Sequence, residues 1–292
     1  MPESARSSRV TAGSLRWEAA RRLNGLSETP ALDADLLLGH VLGLNRAALV
    51  SEPSRTIGAD DRRRFDDLLA RRTAGQPIAY LLRSRSFRAI DLYVDERVLV
   101  PRPETERLVE LASAWVSANR GSLTSVVDVG TGSGAIALAL ASELDPDLRE
   151  TVHILGVDVS PAALEVATLN RSQLGLDTRV ELRRSDLLGD VSGAFDLILA
   201  NLPYLRPEQA HPSTAFEPPL ALYSGADGFD LYRRFLPQAL DRLNPNGMIA
   251  VEIDPAQGQT GLALIRRLTK QAAHVVQDFA GRDRYLVIGE IR

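Results

Sequence analysis

The chain has 292 residues, of which 45% are hydrophobic, 25% charged and 5% aromatic, a composition that excludes the disordered and fibrous classes. Lys plus Arg number 34 and Asp plus Glu 38, a net charge of -4, which argues against a wholly basic nucleic-acid coat; the absence of cysteine excludes disulfides, thiolate-held zinc, iron–sulfur clusters and a thiol nucleophile. No apolar run reaches the roughly 18 residues of a membrane span, and Met1–Val10 lack the apolar segment of a signal peptide, so a cytoplasmic protein without membrane contact is expected.

The length exceeds the usual ~100–200 residues of one domain, and the charge is unevenly spread. Residues 1–90 hold fifteen Arg and ten acids; residues 91–292 hold nineteen basic and 28 acidic side chains. The first part reads as helices, with the 3/4 spacing of one buried face in Leu15, Ala19 and Leu23, in Leu32, Leu36, Leu37, Val41 and Leu44, and in Phe65, Leu68 and Leu69. Pro30, Pro53 and Pro77 punctuate them. The Arg62-Arg63-Arg64 run, with Arg71 and Arg72, reads either as a contact for an RNA-bearing partner or as a solvated helix face, the commoner case for such runs.

From Phe87 to Val100 the pattern turns to β-type alternation, with Asp95-Glu96 as the expected turn of a hairpin between two domains. Pro101 and Pro103 lead into a helix from about Glu104 to Ala118. Short apolar strands then alternate with helical patterns: strands at Ser125–Val129, Val152–Val157, Val180–Arg183 and Phe195–Ala200, helices at Ile136–Leu144 and Ala162–Leu174. That is the rhythm of a doubly wound α/β sheet. A helix near Leu231–Leu243, a strand Met248–Ile253, a helix near Gly261–Ala272 and strands near His274–Phe279 and Arg284–Gly289 follow, the last two forming an antiparallel hairpin at the sheet edge.

Three acids stand at the carboxyl ends of consecutive strands. Asp128 precedes the turn Gly130-Thr131-Gly132-Ser133-Gly134, whose glycines permit close backbone approach to a ligand. The G-x-G-x-G spacing differs from the G-x-G-x-x-G of dinucleotide enzymes, and an acid at 128 repels phosphate while suiting an amino group, directly or through water. Asp158 can accept from both hydroxyls of a ribose, and Asp186 from an adenine amino group while Leu187 packs beside the ring. Each acid alone is as readily a cap or turn residue; together they outline an adenosine pocket. The fourth strand runs into Asn201-Leu202-Pro203-Tyr204. The Asn201 side chain and the Leu202 carbonyl can hold the two N–H bonds of a planar nitrogen while Tyr204 packs on the group, so that orientation and electrostatics, without a strong base, activate it.

The arrangement over residues 101–292 resembles the class I S-adenosylmethionine-dependent methyltransferases. With Gly75-Gln76-Pro77-Ile78-Ala79-Tyr80, Phe87, Val98–Glu106, Phe216–Leu222 and Asp227-Gly228, the whole chain looks like the peptide chain release factor glutamine N5-methyltransferases. The resemblance implies a doubly wound seven-stranded methyltransferase sheet (101–292), a helical substrate-docking domain (1–85) and a β-hairpin linker (86–100). It further implies transfer of a methyl group from S-adenosyl-L-methionine to the glutamine amide of the Gly-Gly-Gln tripeptide of class 1 release factors, leaving S-adenosyl-L-homocysteine. Cofactor contacts are then expected at Gly130, Thr131, Gly132, Ser133, Gly134, Asp158, Leu187 and Asn201.

The chain departs from the family pattern at three positions: Leu202 replaces the first Pro of Asn-Pro-Pro-Tyr, Asp254 replaces a Gly after Glu252-Ile253, and Arg83 replaces a Gly after Tyr80. Three other readings share the motifs. An adenine-N6 methyltransferase needs a basic channel that the acidic catalytic part opposes; no direct nucleic-acid contact is therefore expected. A ribosomal-protein glutamine methyltransferase shares the tetrad, and a non-catalytic module would keep the fold without turnover. Asn170-Arg171-Ser172 is a sequon by pattern only, the four His lack ligand spacing, so no metal is expected, and with Lys270 the only lysine a Walker A loop is impossible.

Overall fold

The first helix, α1 (Ala12–Leu23), starts where Thr11 and Ser14 exchange the two hydrogen bonds of a capping box and buries Ala12, Leu15, Ala19 and Leu23 on one face. It opens one of two units into which the computed structural model divides, Met1–Arg83 with His211–Phe216, and Ser84–Ala210 with Glu217–Arg292. The structure describes residues 10–119 and 124–290; Met1–Arg9, where no signal peptide is expected, lie outside the described residues.

The helical unit continues with α2 (Pro30–Leu42), α3 (Arg46–Ser51), α4 (Ala59–Thr73) and α5 (Ile78–Leu82). Pro30 enters α2 at its first turn and Gly43 ends it with φ 64°. The buried face of α2 differs from the expected one: Ala34, Leu37, Leu38 and Val41 are buried while Leu32 is 36% exposed. The arc also takes in Asp33 and Asp35, because each has a cationic partner inside the unit: Arg72 reaches Asp33 at 2.7 Å, and Arg16 and Arg46 reach Asp35 at 2.6 and 3.0 Å. On α4, Phe65 and Leu69 are buried, and Arg62, Arg63, Arg64 and Arg71 pair with Asp66, Asp60, Asp61 and Asp67 of the same helix. The arginine run is thus neutralised on its own helix, as a solvated face is. Arg83 ends α5 in the left-handed region with φ 53°, the conformation that makes Gly usual there and that costs a side-chain-bearing residue about 1 kcal/mol.

The second unit opens with a short hairpin, β1 (Arg85–Phe87) and β2 (Ile90–Leu92), paired Arg85↔Leu92 and Phe87↔Ile90. Its turn is Arg88-Ala89, with Arg88 at φ 49°. The expected turn at Asp95-Glu96 is not the hairpin's: Asp95 is buried, accepts from Tyr93 and Arg97, and fixes a loop. A one-turn 3-10 helix, Pro103–Thr105, then leads into α6 (Glu106–Ala118).

There follow β3 (Thr124–Val129), α7 (Ala135–Glu143), β4 (Val152–Asp158), α8 (Pro161–Gln173), β5 (Val180–Arg184), β6 (Phe195–Ala200), α9 (Asp230–Asp241), β7 (Leu243–Glu252), α10 (Gly258–Leu268), β8 (Ala273–Gln277) and β9 (Asp283–Ile288). The seven-stranded sheet has the order β5-β4-β3-β6-β7-β9-β8. The strands from β5 to β7 are parallel, and β9 enters antiparallel between β7 and β8, so of the terminal hairpin only β8 is an edge. β3 and β6 each bury five of six residues, as inner parallel strands covered on both faces do. The chain leaves β3 toward β5 and returns to β6 on the other side, and a reversal of this kind opens a crevice at the carboxyl ends of the strands. Among the described residues no helix is long and apolar enough to cross a membrane.

Candidate active site

At that crevice lies a cavity of about 310 Å³, within the size range of small-molecule sites. Gly130, Thr131, Gly132, Ser133, Asp158, Asp186, Leu187, Asn201, Leu202 and Pro203 line it; Asp128, Gly134 and Tyr204, also expected at the site, do not.

The glycine turn owes its shape to Gly130, Gly132 and Gly134, at φ 76°, 57° and 85°. A Cβ at Gly130 would meet the Leu202 side chain at 3.0 Å, and one at Gly134 would meet Leu138 at 2.7 Å. The backbone N–H groups of the turn are committed internally: Gly130 and Thr131 donate to the Val157 carbonyl, Gly134 to that of Thr131, and Gly132 to Asp158 Oδ2 at 2.9 Å. Few are left for a pyrophosphate, and two carboxylates stand close by. Asp128 is fully buried beneath the turn, where Oδ2 accepts from the Thr131 hydroxyl and the Ala137 N–H. Oδ1 has no hydrogen-bond partner, and burial lifts the carboxyl to about 7. Asp128 therefore shapes the loop from behind instead of lining the cavity.

Asp158, at the end of β4, also accepts from the Ser160 N–H at 2.9 Å, and burial raises its pKa. Its carboxylate faces the cavity with lone pairs to spare, as a diol requires. Asp186 meets Arg234, which also lines the cavity, at 2.6 Å, so the carboxylate expected to meet an adenine amine carries a cation instead. Leu187 holds φ 54° with its side chain buried in the cavity wall. A branched side chain in that conformation costs of order 1 kcal/mol or more and persists where the surroundings impose it, often at binding sites.

The tetrad at the end of β6 is held by groups the motifs do not name. Asn201 Nδ2 donates to Thr105 Oγ1 at 2.9 Å, and the Thr105 hydroxyl donates to Glu252 Oε2 at 2.8 Å. Tyr204 donates its hydroxyl to Glu252 Oε1 at 3.1 Å; burial raises its pKa, and the ring packs against the apolar core of this unit. The Tyr232 hydroxyl gives its one proton to the Glu252 carbonyl and lies 3.3 Å from that of Leu202. A carbonyl has two lone pairs, so Leu202 can still accept from a substrate. The Leu202 side chain is buried in the core of this unit and covers Gly130.

Around the cavity, Arg102 pairs with the buried Glu217, joining two segments that the sequence shows only as separate motifs. Gln257 Nε2 donates to the carbonyls of Tyr204 and Asp227. Asp254 caps the one-turn helix Pro255–Gln257 by accepting from Ala256, a role a Gly lacks. Asn170, a sequon by pattern, is 1% exposed; its amide bonds both the N–H and carbonyl of Tyr93 and the carbonyl of Ser133, tying the loop after the hairpin to the glycine turn. Glu252 had one legible signal: it is an acid at the carboxyl end of the strand next to β6.

A family model for the PrmC N-terminal domain matches residues 14–82, and a methyltransferase domain model matches residues 121–280. Among solved structures, a methyltransferase from Pyrococcus furiosus aligns with a TM-score of 0.51 at 20% identity, covering 77% of this chain and 98% of its own, a likeness of fold. Among curated proteins, the release factor glutamine methyltransferase of Moorella thermoacetica is 40% identical over 274 residues, 91% of this chain and 94% of its own. The protein of the same name from Deinococcus radiodurans is 39% identical over 261 residues, 88% of this chain and 90% of its own. Sequence identity of this extent runs through the helical part as well as the α/β part, and the chain belongs to the release factor glutamine methyltransferase family.

Proposed function

We propose that this protein methylates the side-chain amide N5 of the glutamine in the Gly-Gly-Gln tripeptide of class 1 peptide chain release factors, using S-adenosyl-L-methionine and releasing S-adenosyl-L-homocysteine. The observation that carries it is Asn201, a residue of the cavity wall whose carboxamide nitrogen is tied to Thr105. The oxygen is left to accept from a primary amide.

The residues fit the cofactor. Asp158 would hold the ribose hydroxyls, Leu187 would flank the adenine, and the glycine turn would lie along the molecule; Asp128, with an unpartnered buried oxygen, would favour a cationic amino group from below. When bound, the cofactor supplies an electrophilic methyl on a sulfonium. The chain's own contribution is to position the amide: Asn201 Oδ1 and the Leu202 carbonyl accept its N–H bonds and leave the nitrogen lone pair directed at the cavity. Arg234 reaches Asp186 only through its flexible, half-exposed side chain, so an adenine amine can displace it.

We assign substrate docking to the helical domain (1–85), a linking role to the hairpin segment 86–100 and chemistry to 101–292. A protein substrate in translation supports a cytoplasmic enzyme, and the acidic balance of residues 91–292 supports action without direct nucleic-acid contact. The test incubates the protein with labelled S-adenosylmethionine and an unmethylated release factor, its Gly-Gly-Ala variant, ribosomal RNA and ribosomal proteins. Label on the wild-type factor alone is the expected result; label on RNA would replace this reading with adenine methylation.

A further inference from the structure

The hydrogen bonds around Asn201 have a direction that chemistry imposes. Thr105 is 4% exposed and Glu252 1%, so neither can exchange its partner for bulk water. A carboxylate only accepts, and a hydroxyl has one proton. With Glu252 ionised, Thr105 must give its proton to Glu252 Oε2, as it does at 2.8 Å. Toward Asn201 it then presents only lone pairs, which accept only from an amide nitrogen. Nδ2 is therefore drawn to Thr105, at 2.9 Å, and Oδ1, which accepts from no group among the described residues, is left to accept from a ligand.

The two ends of an Asn carboxamide have nearly the same shape, so sterics alone do not choose between them. If the amide turned over, it would offer N–H bonds to a substrate group that itself presents N–H bonds. We propose that Thr105 and Glu252 are positioning residues that set the orientation of the Asn201 carboxamide, and thereby make it an acceptor selective for a primary amide or amine nitrogen. The proposal rests on the glutamine reading above. Glu252 is the end of the relay and also its control point. It is faced by Glu104 and Thr105, by Tyr204, by Tyr232, and by Arg284 and Tyr285, and burial lifts its carboxyl to about 7. A protonated Glu252 no longer requires the Thr105 proton, so the relay loses its direction as pH falls.

The test uses the full chain with Thr105→Val, Thr105→Ser and Glu252→Gln. Turnover on an unmethylated release factor is measured at saturating S-adenosylmethionine, with cofactor binding by calorimetry, thermal unfolding, and NMR of the Asn201 side-chain amide protons. Thr105→Val should lower kcat by about 10- to 100-fold, with KM for the release factor and cofactor Kd within about threefold. Thr105→Ser should restore kcat, and Glu252→Gln, which can donate to Thr105, should lower it. The Asn201 amide protons should show slowed exchange in the wild type and lose it in Thr105→Val. A Thr105→Val enzyme with wild-type kcat, or one that Thr105→Ser fails to rescue, overturns the proposal. If Thr105→Val does not fold, full activity in Glu252→Gln or fast Asn201 amide exchange in the wild type overturns it equally. A wild-type enzyme that leaves the release factor unlabelled defeats the glutamine reading, and the NMR comparison then decides the orientation by itself.

Discussion

The Arg102 guanidinium donates to Glu217 Oε2 at 2.5 Å while Glu217 Oε1 takes the Val100 N–H at 3.1 Å, so one buried carboxylate joins two chain segments more than a hundred residues apart. Burial raises the Glu217 pKa even against the pull of Arg102, which marks the site as desolvated. Glu217→Ala would leave the Val100 N–H and the guanidinium without their acceptor and should cost about 2–4 kcal/mol in denaturant unfolding. Glu217→Gln keeps one acceptor and should cost less. Equal losses for the two variants would refute this account.

Gly228 packs against the tetrad from the other side. It holds φ 76°, and a Cβ there would lie 2.2 Å from the Tyr204 carbonyl oxygen and 2.6 Å from Gln257 Nε2. Gly228→Ala must therefore displace backbone at the tetrad, and kcat should fall by about tenfold or more with cofactor Kd little changed, since Gly228 is not part of the cavity wall. Steady-state kinetics with isothermal titration separates the two effects.

Asn201→Ala removes the acceptor that orients the substrate amide, and kcat should fall by roughly 100-fold. Asn201→Asp sets a carboxylate against a Thr105 hydroxyl already committed to Glu252 and should be no better. Single-turnover transfer of labelled methyl measures both, and near-normal transfer by Asn201→Ala would remove the residue from the mechanism.

Glu252 and Asp128 are both lifted by burial to about 7, from ordinary values of 4.5 and 3.8. A carboxyl with a raised folded pKa binds more protons in the folded than in the unfolded state between those limits, so stability falls as pH rises through the window. Unfolding free energy should decline from about pH 4 to 7 through these two groups, and Glu252→Gln and Asp128→Asn should each flatten the slope. Urea titrations across that range provide the check; a slope unchanged in both variants would show that neither group titrates there.

The residues' own chemistry already dictated the turns and the strand ends. Gly130, Gly132 and Gly134 need no partner to announce a turn with positive φ, and the apolar runs of β3 and β6 announce inner parallel strands, because both properties are local. For the same reason the sequence could put Asn201 and Asp158 at the crevice they line: each stands at the end of an apolar strand in a sheet of the kind that opens a crevice there. Asp186 and Tyr204 could be placed at strand ends in the same way, but their partners within the chain, Arg234 and Glu252, could not be read from the sequence. Likewise the α2 face could not be read without knowing that Asp33 and Asp35 would find arginines and be buried with the apolar residues. Only the tertiary structure brought Thr105, Asn201 and Glu252 into one relay and Arg102 onto Glu217. Periodicity states which way a side chain points relative to the core, but the identity of a hydrogen-bond partner a hundred residues away is fixed only when the sheet assembles its strand ends side by side.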